Sequence, residues 1–190
     1  MNPVLSVAIP AHDEERSIGR CIESVSRSAA RAGQPVEIVV ALNRCTDRTR
    51  EVAESLGANC TVEDRRSIAA VRDAAVRRGS ADAIVTLDAD SRMSTGTVAR
   101  VLARVYDERF IGGGTFARPQ RWSIGIAFSL LAVAPHVLRR RVSTGMFWFR
   151  REAFECIGGF DERLPSVEDL DFALRLKALG AERGKRYGTV

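Results

Sequence analysis

The stretch AIVTLDADSR, residues 83–92, closes an apolar run with two carboxylates, Asp88 and Asp90, separated only by Ala89. Like charges a few ångströms apart repel by roughly 1 kcal/mol even in a high dielectric, and by more when partly buried. A divalent cation reverses the sign of that interaction. Carboxylate oxygens are hard donors that select Mg2+ or Mn2+, and Mg2+ in particular binds through one or two carboxylates plus substrate phosphates. Asp88 and Asp90 are therefore read as metal ligands, with the ordinary preference of Asp for turns as the alternative.

A second acidic pair, Glu168 and Asp169, opens a helical pattern near the end of the chain. SVED, residues 166–169, matches a capping box in which Asp169 reaches back to the cap. Acids in a first turn are also favoured by the helix dipole. Both readings are compatible with one carboxylate facing a site. GGGTFA, residues 112–117, formally matches G-x-G-x-x-A. A dinucleotide fingerprint also needs a helix opening at the glycines and an acid about 20 residues later. Pro119 follows quickly and no acid lies near residue 134, so the segment is read as a flexible or close-packed strand near a ligand. His12 and His136 are isolated and are assigned to the core or surface. Cys21, Cys45, Cys60 and Cys156 have neither zinc-site spacing nor a disulfide framework, which suits a reducing compartment.

These residues need elements to position them. Residues 5–10 and 36–42 read as buried strands, with a helix from Ile18 to a stop at Gly33 between them. Asp47 can cap a helix that runs to Leu56 and Gly57. A short strand near 60–62, a helix over 67–78 ended by Gly79, and a strand over 81–87 follow. This alternation implies an α/β fold with a largely parallel central sheet and helices on both faces. Ligands in such sheets bind beyond the carboxyl ends of the strands. Asp88, Asp90 and the loops at 11–16 and 43–47 are expected on one rim. In the second half, FIGGGTFARP reads as a strand, STGMFWFRREAF as a strand running into a helix, and the helix after residue 167 as one stopped by Gly180. No repeat or linker divides the 190 residues, which are read as a single domain.

Composition narrows the partners. The net charge is +5, and Lys177 and Lys185 are the only lysines. Arginine suits phosphate and carboxylate recognition, and codon bias explains the same excess. The basic residues are dispersed and aromatics make up only 6% of the chain, which argues against nucleic acid. The N-terminus lacks the pattern of a signal peptide. The apolar segment 122–138, interrupted by Gly125 and Pro135, is short for a transmembrane helix. With Arg139, Arg140 and Arg141 behind it, it reads either as a buried helix or as a peripheral membrane contact over 122–141.

Taken in order, the motifs resemble those of family 2 glycosyltransferases of the GT-A fold. VAIPAHDEE resembles the first strand and P-x-x-N-E loop, with Asp13 where Asn is usual. EIVVALNRCTDRT resembles the second strand and its T-D-x-T loop. SIAAVRDAA resembles a segment with an Arg-Asn pair, here Arg72 and Asp73. VTLDADS resembles the D-x-D motif. GMFWFRREAFECIGGFDERLPSVEDLDFALRL resembles the acceptor-side segment with its G-G-F-D turn and E-D pair. Together they span about residue 4 to residue 180.

The resemblance implies a single GT-A-like domain over 1–190, with a nucleotide-sugar-binding half at 1–92 and an acceptor-side half at 93–190. Many relatives continue further, so the acceptor half is expected to be minimal or cut short. The resemblance also implies a nucleoside-diphosphate sugar donor, an unidentified hydroxyl acceptor, Mg2+ or Mn2+, and an inverting transfer. The implied location is cytoplasmic, at the inner face of the membrane if 122–141 touches it. By position, Pro10, Ala11 and Glu14 would lie near the nucleotide and Asn43 at the base. Arg72 would hold base or diphosphate, Asp88 and Ala89 would approach the ribose, and Asp90 and Asp88 would hold the metal. Asp169 would be the catalytic base, with Glu168 supporting the acceptor. The alternatives are a non-catalytic nucleotide-sugar-binding relative, a nucleotidyltransferase, which would want a glycine-rich loop that AHDEERS lacks, and a membrane-surface module.

Overall fold

The computed structural model describes residues 2–115, 145–164 and 167–190. The segment 122–141, His136 and Ser166 lie outside the described residues. The strands are β1 (Leu5–Ala11), β2 (Val36–Leu42), β3 (Asn59–Val62), β4 (Ala83–Thr86), β5 (Phe110–Gly114), β6 (Phe147–Arg150) and β7 (Arg186–Thr189). They form one sheet in the order β3-β2-β1-β4-β6-β5-β7. β1 lies between β2 and β4, parallel to both, with Ala8 opposite Val39 and Thr86. A strand covered on both faces should be apolar throughout, and every residue of β1 is buried.

The side-chain period of two sends Leu5, Val7, Ile9 and Ala11 to one face of β1, where α1 (Ile18–Ala32), α2 (Thr49–Ser55) and α4 (Thr97–Val105) bury Ile18, Ile22, Val25, Ala53, Val98 and Val101. Ala8 points to the other face, under α3 (Ile68–Arg78), α5 (Arg151–Ile157) and α6 (Glu168–Glu182). There Phe147, Phe149, Phe154, Phe160 and Phe172 form a tilted and stacked aromatic cluster. The sheet is largely parallel with helices on both faces, as the alternation implies.

β6 departs from that rule, running antiparallel to both β4 and β5. It inserts between them, so strands from both halves of the sequence share one sheet. α4 and β7 have no counterpart among the expected elements. The expected stop at Gly180 is corrected: α6 continues to Glu182. A Cβ on Gly180 would lie 2.7 Å from Ile111 Cγ2 and 3.0 Å from the Lys185 carbonyl. That glycine serves close packing on β5, and Gly184, at φ 65°, follows the true helix end. Among the described residues no helix is long and apolar enough to cross a membrane.

Candidate functional site

The loops after β1 and β2 are joined by bonds that explain their polar sequences. Asn43 N–H donates to the Ala11 carbonyl at 2.8 Å. Asp13 accepts from Thr46 N–H at 2.7 Å, Asp47 from Glu15 N–H at 2.9 Å, and the Thr49 hydroxyl from Glu14 N–H at 2.7 Å. Asp47 also accepts from Thr49 N–H at 2.9 Å, although the residue directly before α2 is Arg48, which makes no side-chain cap. Asp13 and Arg44 hold φ near +50°, a region few non-glycine residues visit. Asp13, Cys45 and Asp47 bring potential ligand atoms within 4.8 Å of one another. The backbone N–H groups already bonded to both carboxylates make that grouping a cross-link between loops.

Beside these loops opens a cleft of about 470 Å3, a size suited to a small ligand. Pro10, Ala11, Glu14, Asn43, Arg72, Asp88, Ala89 and Asp90 all line it. His12, Arg44 and Arg66 line it too. Arg66 was not among the expected residues, Arg44 was expected only as part of the 43–47 loop, and His12, assigned to the core or surface, is exposed on the cleft through its place in the 11–16 loop. His12 Nδ1 lies 2.6 Å from the Asn43 carbonyl. A carbonyl can only accept, so Nδ1 carries the proton. Asn43 Nδ2 donates to the carbonyls of Glu63 and Arg65, and its Oδ1 accepts from Arg44 at 3.2–3.3 Å. A carboxylate could make none of the Nδ2 bonds. They account for an amide at this position: it anchors the loop before α3.

Glu168 and Asp169 do not line the cleft; they reach it through Arg72. One guanidinium nitrogen of Arg72 donates to Glu168 at 2.7 Å and Asp169 at 2.6 Å, and the other to Asp88 at 2.8 Å. The side chain is 6% exposed and packs over the Phe160 ring. Both terminal nitrogens are thus bonded to carboxylates, whereas base or diphosphate contacts were expected of them. The capping box is corrected as well. The residue before α6 is Val167, which makes no side-chain cap, and the Asp169 carboxylate turns to Arg72. Burial lifts the Asp169 pKa to about 6; Arg72 opposes this, while Glu168 and Asp88 add to it.

The neighbouring Asp73 orients the turn between α5 and α6 at Gly159 and Phe160. Its carboxylate accepts from Phe160 N–H at 3.0 Å and lies where a Cβ on Gly159 would intrude. Burial raises its pKa. Arg175 supports the same turn through the Ile157 and Gly159 carbonyls.

The donor set at the D-x-D pair fits a hard divalent cation. Arg72 occupies Oδ1 of Asp88 and leaves Oδ2. Asp90 is exposed, and its carboxylate accepts from the Ser91 hydroxyl at 3.3 Å.

Comparison with known proteins places these features. The model of the family described as glycosyl transferase family 2 matches residues 6–158. No curated protein matches the chain in sequence. A mannosyltransferase from Pyrobaculum calidifontis, solved with GDP-Man and Mn2+, superposes with a TM-score of 0.74 at 21% identity, over 100% of this chain and 55% of its own. S. aureus TarS 1-349 with UDP-GlcNAc gives 0.70 at 18%, over 93% and 53%. Glucosyl-3-phosphoglycerate synthase from Mycobacterium tuberculosis, with Mn2+, UDP and glucosyl-3-phosphoglycerate, gives 0.61 at 22%, over 80% and 58%. The chain spans somewhat over half the length of each, and at these identities the likeness is one of fold, the GT-A-like arrangement.

Proposed function

The chain belongs to glycosyl transferase family 2, and from that premise we propose that it moves a sugar from a nucleoside-diphosphate sugar to a hydroxyl acceptor, with inversion and with a divalent cation at Asp88 and Asp90. The observation that carries the reading is the meeting, across the single guanidinium of Arg72, of a cleft carboxylate suited to a metal and a partly buried carboxylate with raised pKa.

The geometry supports the following roles. The backbone at Pro10 and Ala11, with Glu14, His12 and Asn43, borders the nucleotide end of the cleft. Arg44 and Arg66 offer cations for an anionic donor. Asp88 and Asp90 would hold Mg2+ or Mn2+, which when bound stabilises negative charge on the leaving diphosphate. Asp169, at about 6, is largely ionised at neutral pH, yet basic enough to accept a proton from an attacking hydroxyl. A single displacement with a separate base inverts the anomeric centre. Glu168, buried beside it, shares Arg72 and keeps the guanidinium in place.

The test is calorimetric titration with a panel of UDP-, GDP-, ADP- and CDP-sugars, with and without Mn2+, followed by transfer assays on sugar, lipid and small-molecule hydroxyls. Metal-dependent binding of one donor with transfer is the expected result. Binding without transfer would leave a nucleotide-sugar-binding protein, and no binding at all would overturn the reading.

A further inference from the structure

Arg72 is the one guanidinium in the described structure that reaches both carboxylate groups of the proposed site. Its partners differ in exposure: the Asp88 side chain is 39% exposed, Asp169 24% and Glu168 9%. Three negative charges thus face one positive charge, with Asp90 and Glu14 bordering the same cleft. An arginine held only for packing would not need its two terminal nitrogens divided between a cleft carboxylate and the carboxylates at the start of a helix. The division has a chemical consequence. Oδ1 of Asp88 cannot be fully available to a cation while it accepts from Arg72, because both draw on the same negative oxygen.

We infer that Arg72 is the built-in counter-ion of the metal site, a positioning residue that holds Asp88 when no cation is bound and yields it when one arrives, while keeping its bonds to Glu168 and Asp169. The inference rests on the reading of Asp88 and Asp90 as metal ligands. It assigns Arg72 a task other than contacting the nucleotide. It also ties occupancy of the donor side to the place of the base: once Asp88 turns away, the guanidinium has only the α6 carboxylates to serve. The bond to Asp88 is the one of the three that can be exchanged cheaply. Asp88 is the most exposed partner and can be resolvated, whereas releasing Glu168 would leave a buried charge unpaired and releasing Asp169 a partly buried one.

The decisive variant is Arg72→Lys, because it leaves the net charge unchanged. A lysine ammonium is a point charge without the planar fork. It is expected to settle on the buried pair and release Asp88. Mn2+ alone, titrated calorimetrically, should then bind more tightly than to the parent, by roughly threefold to tenfold on the scale of a partly exposed ion pair. Arg66→Gln is the control, since Arg66 lines the same cleft without a bond to Asp88. It should alter Mn2+ affinity less, and its effect should fade in high salt as a screened field does. If Arg72→Lys does not fold, Glu168→Gln is compared with Arg72→Gln/Glu168→Gln, where the arginine leaves together with one buried charge. The double variant should again bind Mn2+ more tightly. Unchanged or weaker Mn2+ binding in the folded arginine variants overturns the inference and leaves the proposed function standing. A parent protein that binds no Mn2+, with or without nucleotide, overturns both.

Discussion

Asp169 is kept where burial opposes its ionisation, and that has two measurable consequences. Its pKa in the fold is about 6, against 3.8 for the unperturbed group. The native state therefore holds the proton more tightly than the unfolded chain. The resulting stability is fully present below 3.8 and is lost as pH rises through about 6. A difference of about two pKa units corresponds to up to about 3 kcal/mol. Asp169→Asn removes that titration, so its stability relative to the parent should improve between pH 4 and pH 7, measured by denaturant unfolding at both values. Transfer should meanwhile fall by a factor on the order of 10² or more with donor affinity nearly unchanged. A variant with full turnover would remove Asp169 from the chemistry. In the parent, transfer should rise with pH through about 6. The acids were visible in the sequence because two carboxylates at a strand end are conspicuous. What they bond to was not. The capping-box reading of SVED failed because a buried arginine 97 residues away competes for Asp169, and local pattern carries no trace of such a partner.

At the scale of elements, the glycines of β5 are set by strand packing. A Cβ on Gly113 would lie 2.0 Å from the Gly188 carbonyl oxygen and 2.7 Å from the Trp148 ring. The Gly188 backbone and the Trp148 indole occupy the space a side chain would need. Gly113→Ala should cost about 1–3 kcal/mol or more, the scale of an overpacked core, read by chemical denaturation. Nucleotide binding by the folded fraction should survive, because β5 contributes no residue to the cleft; loss of binding without loss of stability would contradict this account. β1, β2 and β4 were legible because each is mainly apolar and largely buried, and β3, the half-polar Asn59–Val62, because it falls between two helical periods. β7 was not, since Arg186–Thr189 is short and half exposed and its pairing with Phe110–Gly114 is a long-range event. The insertion of β6 between β4 and β5 was equally hidden, because strand order is decided by which edges remain to be covered. α4 has an amphipathic pattern of its own, with Val98, Val101 and Val105 on the buried face.

Considered as a whole, the molecule carries a net charge of +5, yet Glu14, Asp88 and Asp90 line its cleft. A net positive charge favours the approach of an anionic nucleotide, while the carboxylates that line the cleft repel a diphosphate. Arg44 and Arg66 offset this only in part, and Arg72 is already bonded to carboxylates. A cation between diphosphate and carboxylates changes repulsion into attraction at both contacts. The nucleoside diphosphate should therefore stabilise the whole fold weakly in EDTA and strongly with Mn2+. A ligand at a hundred times its Kd stabilises by about 2.7 kcal/mol. For a domain of this size each kcal/mol raises Tm by roughly 2–4 °C, so a shift on the order of 5–10 °C is expected with both present. Asp90→Asn should remove the metal-dependent part of the shift and leave the Tm of the unliganded protein nearly unchanged, since that side chain is exposed and its one bond is to a neighbouring hydroxyl. Equal shifts in EDTA and Mn2+, or a full shift in Asp90→Asn, would show that the nucleotide binds without the cation and would move the metal away from the D-x-D turn.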